Sequence, residues 1–441
     1  MKQTVSFISL GCAKNQVDCE QMMYLMAQAG YVVQAEPENV DLVVINTCGF
    51  IDAAKSEAID NILAVAQKKA EGSVGKLLVT GCLAQRYQEE ILTELPEVDG
   101  VLGTGSYFDI VSAAKQVLAG ETVREFASVH APVRETGRIL STPRYYSYLK
   151  IAEGCDNCCA FCVIPKLRGR YRSRRLEDLL AEAERLARGG TKELIVVAQD
   201  TSRYGIDLYG KPLLPELLRR LCRVEGLHWV RVHYTYPDEL TDELIEVVAS
   251  EPKIVKYLDI PIQHVNDGIL ERMNRRGNKA YLEALFPKLR ARIPGLVIRT
   301  SLIAGLPGEG EAEFEELCEF LRRHRLERAG AFAFSPEEGT PAARMDYPDS
   351  DTAQRRAERL AELQAEVLDA WNESCFDRTL EVLVEDWDGN FYYGRTYADS
   401  PGIDGTVRFS SELEHEPGDF VQVQILGAED GDLTGREVEP Q

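Results

Sequence analysis

Long apolar runs are missing from this chain. None of its 441 residues falls in a stretch near the roughly 18 apolar residues that a membrane span requires. No export leader is expected either: the apolar part of the opening MKQTVSFISLGC is too short, and the faint lipoprotein look of Leu10-Gly11-Cys12 is set aside. The expected location is therefore cytoplasmic, with no membrane partner. No collagen-like period, glutamine tract or fixed-length repeat is present, which excludes fibrous and solenoid architectures. Positive charge is scarce. Fifty Lys+Arg stand against 72 Asp+Glu, a formal net charge of −22. That balance counts against gripping phosphate backbones along the whole surface and favours a basic partner. What is abundant is apolar residue, at 44%, enough for the cores of two to four domains.

Three regions differ in pattern. In residues 1–125, Thr4–Leu10, Asp41–Ile45 and Lys76–Thr80 read as buried parallel strands. Helical spacing fills Asp18–Ala29, Ala53–Lys69 and Gln85–Leu95, so a small doubly wound βα domain is expected. A looser stretch, 126–140, reads as a linker. Residues 141–376 alternate with a longer period. Six strands are expected, at Tyr145–Ala152, Glu193–Ala198, Trp229–His233, Val255–Ile260, Val297–Ile303 and Gly330–Phe334. Helices are expected between them at Leu176–Ala187, Leu213–Cys222, Asp238–Ala249, Ala280–Arg292 and Glu311–His324, with a long closing helix at Asp351–Cys375. Six βα units predict an open, partial (βα)6 barrel of the TIM type. Residues 377–441 carry short alternating runs (Leu380–Glu385, Tyr392–Tyr397, Phe420–Ile425) broken by Gly, Asp and Pro, the pattern of a small antiparallel OB-like β-barrel. From Thr379 onward there are 15 acids and 3 arginines. Such a barrel would repel phosphate, and it reads either as a solubilising appendage or as a dock for a basic partner.

Eleven cysteines in a reducing compartment are better read as metal ligands or reactive thiols than as disulfides. Cys155, Cys159 and Cys162 follow the first barrel strand, at the end where barrel sites gather, in a C-x3-C-x2-C spacing. Three thiolates can hold three irons of a 4Fe–4S cluster and leave the fourth open. A closed zinc site wants a fourth ligand, and no His lies nearby in sequence. Cys155, Cys158 and Cys162 give the reversed spacing, so the residues alone leave two ligand sets. Cys12, Cys48 and Cys82 each lie just past the carboxyl end of an N-terminal strand. In a parallel sheet those ends share one edge, so a second three-cysteine cluster is expected there. Cys19, Cys222, Cys318 and Cys375 fall within helical patterns and read as structural.

The C-x3-C-x2-C loop after the first strand of a six-unit barrel resembles the radical S-adenosylmethionine (SAM) superfamily. With the three N-terminal cysteines and the C-terminal barrel, the full length resembles the radical-SAM methylthiotransferases: an N-terminal domain (1–125), a linker (126–140), a radical-SAM core (141–376) and a TRAM domain (377–441). The stretches Ser9–Asn15, Asn46–Asp52, Tyr148–Cys155 and Gln199-Asp200-Thr201 followed by Tyr204-Gly205 are similar to the RimO branch. This resemblance implies Cys155, Cys159 and Cys162 as the SAM-coordinating set, with Cys158 outside the motif, and Cys12, Cys48 and Cys82 as the other cluster's ligands. It implies a transferase with two 4Fe–4S clusters and two SAM molecules. One SAM gives a 5′-deoxyadenosyl radical that abstracts hydrogen; the other methylates the transferred sulfur. The implied target is the β-carbon of an aspartate in small-subunit ribosomal protein S-twelve, free or within the subunit. A donor such as flavodoxin or ferredoxin and a sulfur source are implied partners. No direct nucleic-acid substrate is expected; a tRNA adenosine modified by the same chemistry is the alternative. An unactivated C–H carbon is beyond polar side-chain chemistry, so a cofactor must supply the radical.

Phe161, inside the loop, is placed either to pack on adenine or to fill core. Gln199, Asp200, His233, Gln263, His264 and the Gly305–Glu309 turn sit at later strand ends, as SAM contacts or as caps. Arg299 on the fifth strand calls for an anion, either a SAM carboxylate or an internal partner. The basic run Arg168–Arg175 either contacts phosphates, with Tyr171 stacking on a base, or pairs internally.

Overall fold

A computed structural model describes residues 2–439; Met1, Pro440 and Gln441, at the outer ends of the expected first and last domains, lie outside it. The first region comprises β1 (Thr4–Ser9), α1 (Ala13–Gln28), β2 (Val32–Gln34), β3 (Val40–Thr47), α2 (Asp52–Ala70), β4 (Val74–Gly81), α3 (Cys82–Tyr87), α4 (Glu90–Glu94), β5 (Gly100–Leu102), α5 (Ile110–Leu118) and β6 (Val123–Glu125). Its six strands are all parallel, in the order β2-β1-β3-β4-β5-β6. One face buries Met22, Met26, Ile110 and Val117, the other Ile62, Val65, Leu83 and Ile91, so helices cover both sides. Two expectations need correction. The helix expected at Gln85–Leu95 is two short helices, because Gln88 takes φ +47 and ends the first. The first helix begins at Ala13, five residues before the expected Asp18, since the chain turns straight from β1 at Gly11 (φ +86).

The second region holds β7 (Tyr146–Lys150), a small antiparallel pair β8 (Ala152–Glu153) and β9 (Arg172–Ser173), and α6 (Ile164–Arg168) between them. It continues through α7 (Leu176–Arg188), β10 (Glu193–Val197), α8 (Ile206–Tyr209), α9 (Leu214–Leu221), β11 (Trp229–Val232), α10 (Asp242–Ser250) and β12 (Ile254–Asp259). The remaining elements are α11 (Asp267–Arg272), α12 (Lys279–Arg292), β13 (Val297–Ala304), α13 (Glu311–His324), β14 (Arg328–Ala333) and α14 (Ser350–Ser374). Its sheet is open and six-stranded, in the order β14-β13-β12-β11-β10-β7, all parallel. That is the expected partial barrel. Helix α10 starts at Asp242 rather than Asp238, because Thr241 caps it by accepting from Leu244 N at 3.2 Å after a turn at Pro237.

Residues 126–145 hold no helix or strand, yet they are pinned rather than loose. Buried Arg138 pairs with Glu20 at 3.4 Å and Glu182 at 3.0 Å, and Ser141 N donates to Glu20 at 2.9 Å.

The last region is a closed five-stranded barrel of β15 (Thr379–Trp387), β16 (Tyr392–Arg395), β17 (Val407–Ser410), β18 (Phe420–Glu429) and β19 (Asp432–Glu437). Four of its pairings are antiparallel, and a parallel β17–β19 pairing closes the ring. Its 396–404 loop reaches into the open barrel. Arg395 bonds Glu193 at 2.7 Å, Arg231 donates to Tyr397 O at 2.8 Å, Arg328 pairs with Asp399 at 2.6 Å, and Tyr257 donates to Asp404 at 2.7 Å. Among the described residues, no helix is long and apolar enough to cross a membrane.

Candidate active site with two cysteine trios

The carboxyl edge of the N-terminal sheet gathers the first trio. Cys12 is the N-cap of α1, Cys48 follows β3 directly, and Cys82 opens α3 after β4. The loops touch: a Cβ on Gly11 would lie 2.6 Å from Cys48 Cβ and 3.0 Å from its sulfur. One on Gly49 would lie 2.8 Å from Leu83 N. Both positions therefore exclude a side chain. Asn15 clamps the edge by donating to Leu10 O at 2.7 Å and to Asn46 O and Thr47 O at 3.3 Å.

Two buried cations face this trio. Lys14 lies over the Tyr234 ring, 3.3 Å from its centroid, across the boundary with the barrel. Arg168, on α6 of the barrel region, reaches back to Asn15 Oδ1 at 3.0 Å, Asp18 at 2.7 Å and Glu153 at 3.1 Å. Lys150 completes the network with Glu153 at 2.8 Å and with Asp18. Burial pushes the Cys12 thiol up, but Lys14, Arg168 and the first-turn amides outweigh it and hold Cys12 below its ordinary value. Burial leaves Cys48 raised, and lifts Cys82 to about 11 despite the pull of Arg168.

The second trio lies in the loop after β8. Gly154 takes φ +77 with Arg170 O only 2.2 Å from where its Cβ would be, so the loop requires glycine there. Cys155, Cys159 and Cys162 are partly exposed. Ile164 N donates to Cys162 Sγ at 3.4 Å, and Tyr236 OH lies 3.5 Å and Arg275 Nη1 3.7 Å from Cys159 Sγ. Burial raises Cys155 to about 12, with Asp200, Cys159 and Asp156 adding to it, and it raises Cys162 as well. Cys158 is exposed at φ +52, and its carbonyl accepts from Asn274 at 2.9 Å. Three free thiols in each trio are the donor chemistry an iron–sulfur group takes, and in the second trio amide, hydroxyl and guanidinium groups meet the sulfurs.

The remaining candidates separate. Asp200 accepts from Asn157 at 2.7 Å and from Ser202, so it holds the cysteine loop; burial raises its carboxyl. Gln199 donates to Glu153 at 3.5 Å and keeps a buried carbonyl oxygen without a partner. Phe161 packs against the buried Ala160, Ile269, Leu306 and Phe334 set. Arg299 has an internal partner, Asp259, at 3.2 Å. His233 meets Ser400 of the C-terminal loop at 3.1 Å, and burial holds it well below its ordinary value. His264 and Glu309 face each other at 3.4 Å with neither exposed. The basic run pairs internally at Arg168 and Arg174, and Tyr171 is buried, so its ring cannot stack on a base. Sequence reasoning missed Tyr236, Arg275 and the reach of Lys14 and Arg168; their contacts are long-range and carry no local pattern.

Sequence profiles match in three places: Uncharacterized protein family UPF0004 over residues 4–103, the Radical SAM superfamily over 149–321 and the TRAM domain over 378–438. A protein of Thermoanaerobacter sp. (strain X514) called ribosomal protein uS12 methylthiotransferase RimO is 45% identical over 436 residues, covering 98% of this chain and 99% of that one. One of the same name from Lachnoclostridium phytofermentans is 48% identical over 435 residues, covering 98% and 99%. The chain belongs to the RimO methylthiotransferase family. As a RimO-family member it is a SAM-dependent transferase of the radical SAM superfamily. Its fold is also that of the radical SAM methyltransferase TsrM from Kitasatospora setae, with a TM-score of 0.55 at 14% identity, covering 78% of this chain and 74% of that one.

Proposed function

We propose that this RimO-family chain replaces one hydrogen on the β-carbon of an aspartate in ribosomal protein uS12 with a methylthio group. Cys155, Cys159 and Cys162 would hold one 4Fe–4S cluster with an open iron for SAM, and Cys12, Cys48 and Cys82 a second. When bound, these groups supply what no side chain here can: an electron that cleaves SAM to a hydrogen-abstracting radical, and a site from which sulfur is delivered. The chain's own residues shape and guard that chemistry. Asp200 fixes the cysteine loop through Asn157, and Tyr236 with Arg275 covers the Cys159 sulfur. Lys14 and Arg168 join the two regions and keep the first trio beside the barrel's open end.

What supports the reading is that Arg168, on the helix after the second cysteine loop, bonds Asp18 and Asn15 beside the first trio across one buried boundary, with all six cysteines free. The acidic C-terminal barrel supports a basic protein as substrate: its 15 acids against 3 arginines suit a ribosomal protein and repel phosphate. A second SAM as methyl donor, an electron donor of the flavodoxin or ferredoxin kind and a sulfur source complete the reaction.

The test is anaerobic reconstitution with iron, sulfide, SAM and a reductant, offered small ribosomal subunits, free uS12 or bulk tRNA. Mass spectrometry should find one hydrogen exchanged for SCH3 on a uS12 aspartate. The same gain on a tRNA adenosine, with none on uS12, would keep the chemistry and overturn the substrate.

A further inference from the structure

Arg168 contributes no sulfur and lies in a different region of the chain from the first trio, yet it is buried beside that trio. Its side chain is 3% exposed. The helix that carries it starts two residues after Cys162 and ends on Arg168, so this short segment links the second cysteine loop to the first trio. Val163 and Leu167 on that segment bury themselves against Cys82. Thr104 donates to Leu167 O at 2.5 Å from the N-terminal side of the joint. The guanidinium then bonds Asn15, which clamps the strand ends carrying the trio. Two carboxylates, Asp18 and Glu153, partly neutralise it, and Lys150 offsets them in turn. Counting Lys14, three cations face two anions beside three cysteines.

A buried ion network of this kind is weak grounds for stability, since well-packed apolar residues often serve as well or better. A fixed positive charge beside an iron–sulfur group does have a definite effect. It favours the form with one more electron and so raises the reduction potential. We propose that Arg168 is a positioning residue for the first trio, whose buried guanidinium raises the reduction potential of the group held by Cys12, Cys48 and Cys82. This rests on the assignment of that trio as a cluster site. The same charge favours any anionic sulfur delivered there. Because it arrives from the barrel region, the N-terminal site reaches this potential only when the two regions are docked.

The test uses the full chain with Cys155→Ala, Cys159→Ala and Cys162→Ala, so that only the first trio reports, followed by electron paramagnetic resonance during a redox titration. Adding Arg168→Gln should shift the midpoint potential down. Adding Asp18→Asn, which removes a neutralising carboxylate, should shift it up. Arg168→Lys should recover much of the parent value. A merely structural role would disturb both directions alike. Equal midpoints in Arg168→Gln, Asp18→Asn and the parent, at equal iron content, would overturn the inference. If Arg168→Gln fails to assemble, Asp18→Asn decides alone: an upward shift supports the inference, and no shift overturns it. A parent chain that gathers no iron would remove the cluster assignment and the inference with it, a failure distinct from unchanged potentials.

Discussion

Cys12, Cys48 and Cys82 sit beside two buried cations, Lys14 and Arg168, whereas Cys155, Cys159 and Cys162 sit between buried Asp200 and two arginines, Arg275 beside Cys159 and the exposed Arg276 bonded to Asn157 of the loop. Burial opposes the thiolate in both places. In the first, Lys14, Arg168 and the first-turn amides overcome it at Cys12. The contrast matches two different tasks. Cleaving SAM needs a strongly reducing centre, and few cations near its ligands keep a potential low. Holding sulfur as an anion, the task proposed for the first trio, needs the reverse. The two proposed ligand sets, alike in composition, would thus be set apart by their surroundings.

The sharpest way to break the comparison is to remove a ligand from the second trio. Cys159→Ala should abolish reductive SAM cleavage, while Cys158→Ala should keep it near the parent rate, measured as 5′-deoxyadenosine released. Cleavage retained in Cys159→Ala and lost in Cys158→Ala would move the ligand to Cys158.

A second prediction sets these functional charges against purely structural ones. Arg395 bridges Glu193 at 2.7 Å and Glu385 at 2.7 Å in the joint between the two barrels. Arg395→Ala strands buried carboxylates and should cost about 3–5 kcal/mol in denaturant unfolding, with no change in either cluster's spectrum. Burial pushes the Glu193 carboxyl up, but Arg395 and Arg231 outweigh it and hold it below the usual glutamate range. The stability this pair contributes is therefore present above that range and is lost as pH falls through the lowered folded value. The parent should unfold at lower denaturant in that acid window, and Arg395→Ala should flatten the dependence there.

A smaller effect should follow from Asp200→Asn, which softens the hold on Asn157 and removes a carboxylate near Cys155. SAM cleavage should slow about 10-fold, as for loss of a residue that orients a metal ligand, with a greater change in kcat than in KM. The mildest is electrostatic. Glu412→Lys with Glu414→Lys and Glu416→Lys, on an exposed stretch of the last barrel, should slow association with uS12 at low salt. The difference should shrink as salt rises.

Much of this architecture was legible in residues alone, for physical reasons. Strands buried on both faces read as Val, Ile and Leu runs, which placed all six barrel strands within a residue or two. Strands of three residues, Val32–Gln34, Gly100–Leu102 and Val123–Glu125, are too short for any period to register. In the last barrel, Val407–Ser410 is only four residues long and Asp432–Glu437 is largely polar, so neither registered. The cysteines were readable because a parallel sheet brings successive strand ends to one edge. What surrounds them was not. Lys14 meets Tyr234 and Arg168 meets Asn15 across gaps in sequence that no local pattern spans. The run Arg168–Arg175 looked like one basic patch. Folding scatters it, burying Arg168 and Arg174 in opposite networks while Arg170 and Arg175 stay exposed.

The division of labour between the trios is tested most directly by measuring SAM cleavage and methylthio product side by side in Cys12→Ala, Cys48→Ala and Cys82→Ala chains. The account predicts cleavage retained, one cluster's share of iron lost and no methylthio-aspartate formed. Full product from a chain lacking any of these three cysteines would contradict it.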